Sequence, residues 1–338
     1  MKKKIILLLC ILFEGVSILR AQTILDNTQV RFFGNTGYYA EKDSAHHFTH
    51  TFEVGNIEML LTSQVTDRIS VLAEPVFGTN GVSIERLMIS YFYSDYLKVS
   101  AGKLYSPVGI WNTRFYHHVK VLTPTINQPA IIAEPEEFGV LDNNDTGIQL
   151  SGENISKLRF GYKLLVGNGY ANSTKYSDKT VTANLYIEPV DNLQFAVSGR
   201  TDNLAPGTVA PTGEVLREFN RINLFNASVM YYGGDKFEFA SEFYRIGVST
   251  PSVATRQLMS GFAYAGYRLN KFTPYVLYNK VNYDQNIGWF SVNNFTGSTL
   301  GVRYNFSALC VLKLEGQFLE SDQFKKLNRI GVQWAIGF

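Results

Sequence analysis

The chain has 338 residues, with 31 lysines and arginines against 29 aspartates and glutamates, and a mean hydropathy of -0.05. After residue 21 it contains no run of about 18 apolar residues, which excludes a bundle of membrane-spanning helices. A hydrophobic fraction of 45% and an aromatic fraction of 14% exclude a disordered chain. The 20 Tyr, 24 Phe and 28 Gly residues beside only 10 Pro are typical of an all-β protein with much apolar surface.

The first 21 residues have the pattern of a cleaved signal peptide. Three lysines at positions 2–4 precede the apolar run Ile5–Phe13, and the small residue Ala21 ends the segment. Without these residues 27 basic side chains face 28 acidic ones, so the net charge moves from +2 to -1. The slight basicity therefore belongs to the leader and does not indicate nucleic-acid binding. Cys310 is the one cysteine of the mature chain, which excludes an intrachain disulfide.

From about residue 29 onward, apolar and polar side chains alternate in segments of about ten residues. In Asn328–Phe338, for example, the even positions from 330 are apolar, whereas Arg329, Gly331 and Gln333 occupy the other face. The polar face carries charged residues through the middle of successive segments, and such residues need water beside them. A closed cylinder with hydrocarbon outside and water inside satisfies both faces and every strand edge. The pattern predicts a single transmembrane antiparallel β-barrel over residues 22–338.

The alternating segments predict about sixteen strands. They lie near residues 29–39, 47–61, 68–77, 82–93, 96–104, 146–153, 156–166, 179–188, 192–200, 219–232, 236–247, 256–269, 271–282, 295–306, 309–320 and 327–338. Short connections are predicted to alternate strictly with long ones, as in bacterial outer-membrane barrels. The longest connection, 105–145, follows the fifth strand and contains apolar residues such as Trp111 and Ile131. A connection of this length is normally functional, and its apolar residues favour packing inside the cylinder.

Short motifs around that connection resemble those of the outer-membrane porins. Ala101–Gly109 contains a G-x-x-x-x-P-x-G segment, Pro135–Gly139 reads PEEFG, Asp145–Gly152 opens the next strand, and the final strand ends on Phe338. Within the porins, the motifs resemble the phosphate-selective group only loosely. The resemblance implies a bacterial outer-membrane location in contact with lipid, no cofactor, and a third outer loop that narrows the lumen. It also makes Phe338 part of the signal read by the barrel-assembly machinery, and it is compatible with a homotrimer.

Because every second residue of a strand faces the same side of the sheet, the residues that share the polar face can be identified as candidate pore residues. The candidate wall residues are Arg31, Arg86, Lys98, Arg159, Lys163, Arg200, Lys236, Glu238, Glu242, Arg303, Lys313, Glu315 and Arg329, with Glu74 and Glu188 facing the same way. The candidate constriction residues are Arg114, His117, His118, Lys120, Glu134, Glu136, Glu137, Asp142 and Asp145. Ten basic against five acidic wall residues favour a weak preference for anions, which the acidic end of the loop could cancel.

Three functions are compatible with this pattern. The favoured one is a passive diffusion channel for small polar solutes and ions. The first alternative is a structural or adhesive barrel that binds a partner through its outer loops. The second is a barrel hydrolase, in which His47 or His50 would act with Glu53, although no serine motif accompanies them. The neighbouring histidines of the first outer loop are interpreted as solvated residues, so no metal site is predicted.

Overall fold

A computed structural model describes residues 27–79, 81–116, 120–133, 140–171, 179–209, 215–283, 290, 294–322 and 325–338. The predicted signal peptide lies outside the described residues, and so do five candidate loop residues, His117, His118, Glu134, Glu136 and Glu137. In the described ranges, none of the helical segments has the length and apolar character needed to cross a membrane.

Seventeen strands form one antiparallel sheet that closes on itself. They are β1 (Thr28–Asp43), β2 (Phe48–Val54), β3 (Ile57–Gln64), β4 (Ile69–Gly78), β5 (Gly81–Ser94), β6 (Leu97–Tyr105), β7 (Asn144–Ile155), β8 (Phe160–Gly167), β9 (Thr180–Val190), β10 (Leu193–Leu204), β11 (Asn220–Tyr231), β12 (Phe237–Ser249), β13 (Arg256–Tyr267), β14 (Phe272–Tyr283), β15 (Phe295–Ser307), β16 (Cys310–Ser321) and β17 (Lys325–Gly337). The sheet closes where β1 pairs with β17, from Phe33 opposite Gly337 to Asp43 opposite Leu327. In the described parts of the connections lie the helix α1 (Ile110–Phe115) and a 3-10 turn, Gly169–Ala171.

Strands β2 and β3 are two halves of one crossing of the barrel. β1 pairs with both, opposite β2 through residues 36–42 and opposite β3 through residues 28–33. Gly55 interrupts the crossing and donates its backbone N–H to the Asn35 carbonyl at 2.8 Å. A Cβ at residue 55 would meet the end of the Asn35 side chain, which would have to move aside. The barrel therefore has sixteen crossings, and the predicted fold class is confirmed.

At one end of the barrel, the lengths of the connections differ from the predicted pattern, in which every connection at that end is long. The connections 44–47, 79–80 and 322–324 are short, although they lie at the end where long ones were expected. The prediction of strict alternation was therefore wrong. The β4–β5 hairpin is tight because Gly78 pairs directly with Gly81, whose φ of 124° a glycine adopts readily. The long connections at this end are 106–143, 168–179, 205–219, 250–255 and 284–294.

The two faces of the sheet have different compositions. On β17, Ile330 and Trp334 are more than half exposed, whereas Gln333 between them is buried. On β12, Phe243 is 45% exposed and the adjacent Glu242 is buried. An outer surface that presents large apolar side chains strand after strand requires hydrocarbon around it. The predicted alternation of apolar and polar side chains along the strands is confirmed. The barrel spans a membrane with its apolar face outward.

Candidate pore constriction

The connection 106–143 lies against the inner face of the barrel. The Trp111 backbone N–H donates to Glu242 Oε1 on β12 at 2.5 Å, and further along the Ile126 backbone N–H donates to Glu315 Oε1 on β16 at 2.6 Å. Both carboxylates belong to the face that is turned away from the apolar exterior. The described parts of the segment, 106–116, 120–133 and 140–143, therefore reach from β6 across the lumen to β12 and β16.

Gly109 explains one part of the G-x-x-x-x-P-x-G motif. Its φ is 76°, in the left-handed region that favours glycine, and helix α1 begins at the next residue. A Cβ at residue 109 would lie 2.4 Å from the Glu242 carboxylate and 2.5 Å from the Tyr244 hydroxyl. Glycine here allows the loop backbone to turn and to approach the barrel wall closely.

Trp111 is the main apolar anchor of the loop. Its side chain is fully buried, and its ring meets Phe262 edge-on at 5.3 Å and Tyr264 at 5.8 Å, both on β13. The indole Nε1–H donates to Gln128 Oε1 at 2.5 Å, which ties the outgoing and returning halves of the loop together. Edge-on aromatic contacts and a satisfied indole stabilise such a buried ring. The loop is thus held against β13 by packing as well as by hydrogen bonds.

The inner face beneath the loop is more apolar than strand parity predicts. The large buried side chains there include Ile222, Leu224, Met230, Tyr244, Ile246, Leu258, Phe262, Tyr264, Tyr275 and Leu277. They come from β11 to β14 and form one cluster with Ile131, Ile132 and Trp111 of the loop. The expectation that water covers the whole inner face is wrong for these strands, because the loop covers them instead.

Six of the predicted wall residues are buried under the loop. Each is at most 4% exposed; they are Arg200, Glu238, Glu242, Arg303, Lys313 and Glu315. Arg303 pairs with Glu238 at 2.8 Å and donates to the Pro124 carbonyl at 3.2 Å. Lys313 Nζ donates to the carbonyls of Lys120 and Thr125 at 2.5 and 3.1 Å. Five of these six charges therefore bind the loop, whereas Glu238 pairs with Arg303 and Arg268 of the barrel.

Arg200 on β10 holds the returning end of the loop. Its guanidinium pairs with Asp142 at 3.0 Å and with Asp202 at 2.8 Å, and it stacks over the Tyr170 ring at 4.4 Å. The side chain of Arg200 is fully buried and that of Asp202 nearly so, whereas the Asp142 side chain is 27% exposed. Removing one partner of a buried pair leaves the other charge uncompensated.

We therefore expect Arg200→Gln to lower the free energy of unfolding by about 3–5 kcal/mol. The matched control is Arg159→Gln, because Arg159 pairs with Asp191 at 2.7 Å at a site where the Asp191 side chain is 86% exposed. Exposed pairs contribute at most about 1 kcal/mol. Guanidinium unfolding in detergent, followed by circular dichroism, measures both variants, and equal losses would contradict the buried role of Arg200.

Asp142 should make this anchor dependent on pH. Burial raises the pKa of its carboxyl from 3.8 to about 6, while the neighbouring Arg200 acts in the opposite direction. The folded chain thus holds the proton more tightly than the unfolded chain. The stability that this group contributes is complete below pH 3.8 and is lost as the pH rises through about 6.

Between pH 4 and 7, the parent should lose up to about 3 kcal/mol more stability than Asp142→Asn. Guanidinium unfolding of both proteins at several pH values measures this difference. The charged neighbours Arg200, Asp145 and Asp202 and the Tyr170 phenol are common to both proteins, so the comparison isolates the Asp142 carboxyl. Identical pH slopes would show that Asp142 titrates as an exposed carboxyl.

The remaining wall and loop candidates fall into paired, turn and cavity positions. The pairs are Arg86 with Glu74, Arg329 with Glu41 at 3.1 Å, and Arg114 with Glu188 at 3.1 Å. Arg159 and Lys236 lie in the turns before β8 and β12, so neither belongs to the wall of the barrel, and Arg31 is exposed on β1. Asp145 on β7 accepts the backbone N–H groups of Asn168 and Gly169 at 2.9 and 3.1 Å.

Sequence parity missed several acidic residues that are buried in the barrel or line a cavity inside it. They are Glu41, Glu53, Glu58, Glu85, Asp95, Glu153 and Asp202. Glu41 and Asp202 were missed because β1 and β10 extend beyond their predicted ends. The break at Gly55 changes which positions face inward between β2 and β3, and β5 has an irregular register near Glu85. The count of ten basic against five acidic wall residues therefore does not describe the lumen.

Two polar cavities lie beside the loop. The first has a volume of about 250 Å³ and is lined mainly by β5 to β9, with Lys98, Lys163 and Thr113 among its residues. The second has a volume of about 540 Å³ and lies between β1, β2, β17 and the loop. In the second cavity, Lys120 and Arg329 occur with Glu41 and Glu53. Charges of both signs thus line the part of the lumen that the loop leaves uncovered.

The residues considered for a hydrolase form no hydrogen-bonded pair. His47 pairs with the exposed Asp43 at 3.0 Å in the β1–β2 turn. His50 and Glu53 both line the second cavity, but the His50 ring contacts the rings of Tyr38 and Phe48 and makes no ion pair with Glu53. Among the described residues, no group of three or more histidine, cysteine, aspartate or glutamate side chains is arranged to hold a metal ion.

Comparison with solved structures identifies the architecture. An anion-selective porin from Comamonas acidovorans superposes with a TM-score of 0.67 and 13% identity, over 92% of this chain and 100% of that one. The porin fold is shared. The OmpF–daunomycin complex of Salmonella typhi has a TM-score of 0.64 and 11% identity, over 93% and 98% of the two chains. The trimer form of OmpT, an outer membrane protein of Vibrio cholerae, has a TM-score of 0.62 and 14% identity, over 92% and 99%.

The likeness to these porins concerns the fold, since the identities are at most 14% for the three. No protein-family profile matches the chain, and no curated protein sequence does. The predicted resemblance to porins is thus confirmed as a shared barrel architecture that spans nearly the whole of each chain.

Proposed function

We propose that this porin-fold chain forms a water-filled channel in a bacterial outer membrane, through which small hydrophilic solutes diffuse passively. The observation that carries the proposal is the position of the loop. It is anchored to the inner face of the barrel through Glu242 and Glu315, and it leaves polar cavities against the remaining strands. A solute would pass between the loop and those strands, driven by its own gradient.

Charges across the second cavity support a preference for polar solutes. Lys120 belongs to the loop, whereas Glu53 and the ion pair of Glu41 with Arg329 belong to the facing strands. Opposite charges across a narrow aqueous passage create a transverse field, which the low-dielectric wall concentrates. Such a field orders water and disfavours apolar solutes. The narrowest part of the channel would therefore select by polarity and size.

The proposal includes a weak preference for anions, carried by two residues. Lys98 and Lys163 line the first cavity and have no ion-pair partner in the described part of the chain. The other basic wall residues are paired, buried, exposed at an end of the barrel or located in turns. The preference therefore rests on these two lysines rather than on the total wall charge.

Biogenesis and assembly complete the proposal. Residues 1–21 would direct export, and Phe338 would be read by the barrel-assembly machinery. A homotrimer is proposed because the Vibrio cholerae OmpT structure is described as a trimer form. Light scattering of the protein in detergent measures its mass and tests this point.

Liposome swelling tests the channel itself. Liposomes containing the folded protein should swell in solutions of small uncharged sugars, at rates that fall steeply as the sugar becomes larger. Liposomes with heat-unfolded protein are the control. Absence of swelling with every sugar would contradict the channel and favour the adhesive alternative.

A further inference from the structure

Two lysines and a serine form one row across three neighbouring strands. Lys98 on β6 pairs in register with Ser151 on β7, and Ser151 pairs with Lys163 on β8. Paired residues of adjacent strands share a face of the sheet, and strands are spaced about 4.8 Å apart. The two lysine backbones are therefore about 10 Å apart, and both side chains line the first cavity.

Neither lysine has a partner among the residues that the structure describes. Arg86 and Arg114, the nearby arginines, pair with Glu74 and Glu188. Asp95 and Glu153 also line the cavity, yet neither is within ion-pair distance of Lys98 or Lys163. Lys163 lies in the electrostatic range of Lys98, Glu153 and Arg114, so two like charges act on it against one opposite charge. Like charges that are only partly compensated repel each other, so an anion bound between the two lysines would stabilise this arrangement.

The other walls of the cavity indicate the kind of anion. Thr113 on α1, Ser151 and Gln149 supply hydroxyl and amide groups. Met88, Phe92, Leu104 and the rings of Tyr162 and Tyr186 supply apolar surface. An inorganic ion would gain nothing from apolar walls, whereas the carbon chain of an organic anion would be covered by them. Two separated cations match a solute with a carboxylate at each end.

We propose that Lys98 and Lys163 bind small organic dicarboxylates inside the lumen, one carboxylate on each ammonium group. This inference rests on the proposed channel, and it names the class of solute that the channel favours. The site lies near the short turns that precede β6 and β8, below helix α1. A dicarboxylate held there would obstruct other anions, which makes binding measurable as block of an ionic current.

The test measures the chloride current through the protein in planar bilayers while succinate is added. Succinate should reduce the parent current, and butyrate and sulfate at equal concentration should reduce it much less. Lys98→Gln and Lys163→Gln should each raise the half-blocking succinate concentration about fivefold, since each removes one charge in contact with the ligand. The matched control is Lys236→Gln, because Lys236 is an exposed lysine in a turn outside the cavity. Succinate should block the current through this variant at the same concentration as in the parent.

Each other outcome has a defined meaning. Equal block by sulfate and succinate would overturn the dicarboxylate assignment, and unchanged block in both lysine variants would overturn the site. Absence of any chloride current in the parent would overturn the proposed channel instead. In that case ligand-observed NMR of succinate with the detergent-solubilised protein decides the site. A saturation-transfer signal that the double variant loses would support the site, and an equal signal in both proteins would exclude it.

Discussion

Trp111→Ala is expected to raise the single-channel conductance in planar bilayers several-fold. The Trp111 side chain is fully buried between the loop and β13, and its indole also bonds to Gln128. Truncating such a tryptophan costs about 3–5 kcal/mol. Without this anchor, the part of the loop around α1 should leave the wall and widen the passage, while Lys313, Glu315 and Arg200 still hold the rest of the loop. The strand ladders do not involve Trp111, so the barrel itself should remain folded.

The control for this prediction is Trp334→Ala. Trp334 is 52% exposed on the outer face of β17 and contacts Phe306 at 6.0 Å. Its removal should leave the conductance at the parent value, because it touches no part of the loop. A conductance for Trp111→Ala equal to that of the parent would show that the loop does not define the narrowest passage.

Phe338→Ala is expected to reduce the amount of assembled barrel in cells several-fold. Phe338 is 72% exposed, stacks on Phe32 at 5.8 Å, and exchanges two backbone hydrogen bonds with it at 2.9 Å. Alanine retains those backbone bonds, and the lost ring contact accounts for only about 0.5–1.5 kcal/mol. A larger loss in cells would therefore reflect recognition during assembly. The folded fraction of membrane protein, separated by its altered gel mobility before heating, measures the effect.

Two comparisons separate assembly from stability. Refolding of the purified Phe338→Ala protein in detergent should remain close to that of the parent. Phe306→Ala, an exposed aromatic of the same barrel end that contacts Tyr304 at 4.7 Å, should assemble normally in cells. Normal assembly of Phe338→Ala would contradict the role of the terminal residue.

The outer face of the barrel could be predicted from the sequence because hydrocarbon imposes a strict rule. Outward positions in the hydrocarbon must be largely apolar, so the period of two is regular in strands such as β17. Ile330 and Phe243 show this rule directly. The number of strands could be predicted from the same alternation, except that the break at Gly55 divides one crossing of the barrel into two strands.

The inner face could not be predicted in the same way. Parity indicates that Arg303 and Glu242 point inward, but it does not indicate whether water or the loop covers them. That depends on contacts between residues as distant as Trp111 and Glu242, which no local pattern encodes. The apolar side chains of the inner face, such as Leu224, carried a signal that was available, because an inward apolar row requires a covering segment.

The most direct test of the account compares the solvents on the two faces of the barrel. In a Cys310→Ser background, spin labels at Lys163 and Arg329 report the inner face, and labels at Leu164 and Ile330 report the outer face. In lipid bilayers, the outer labels should collide with dissolved oxygen and the inner labels with a water-soluble nickel complex. Equal accessibility at adjacent positions, or the reverse pattern, would contradict a barrel with hydrocarbon outside and water within.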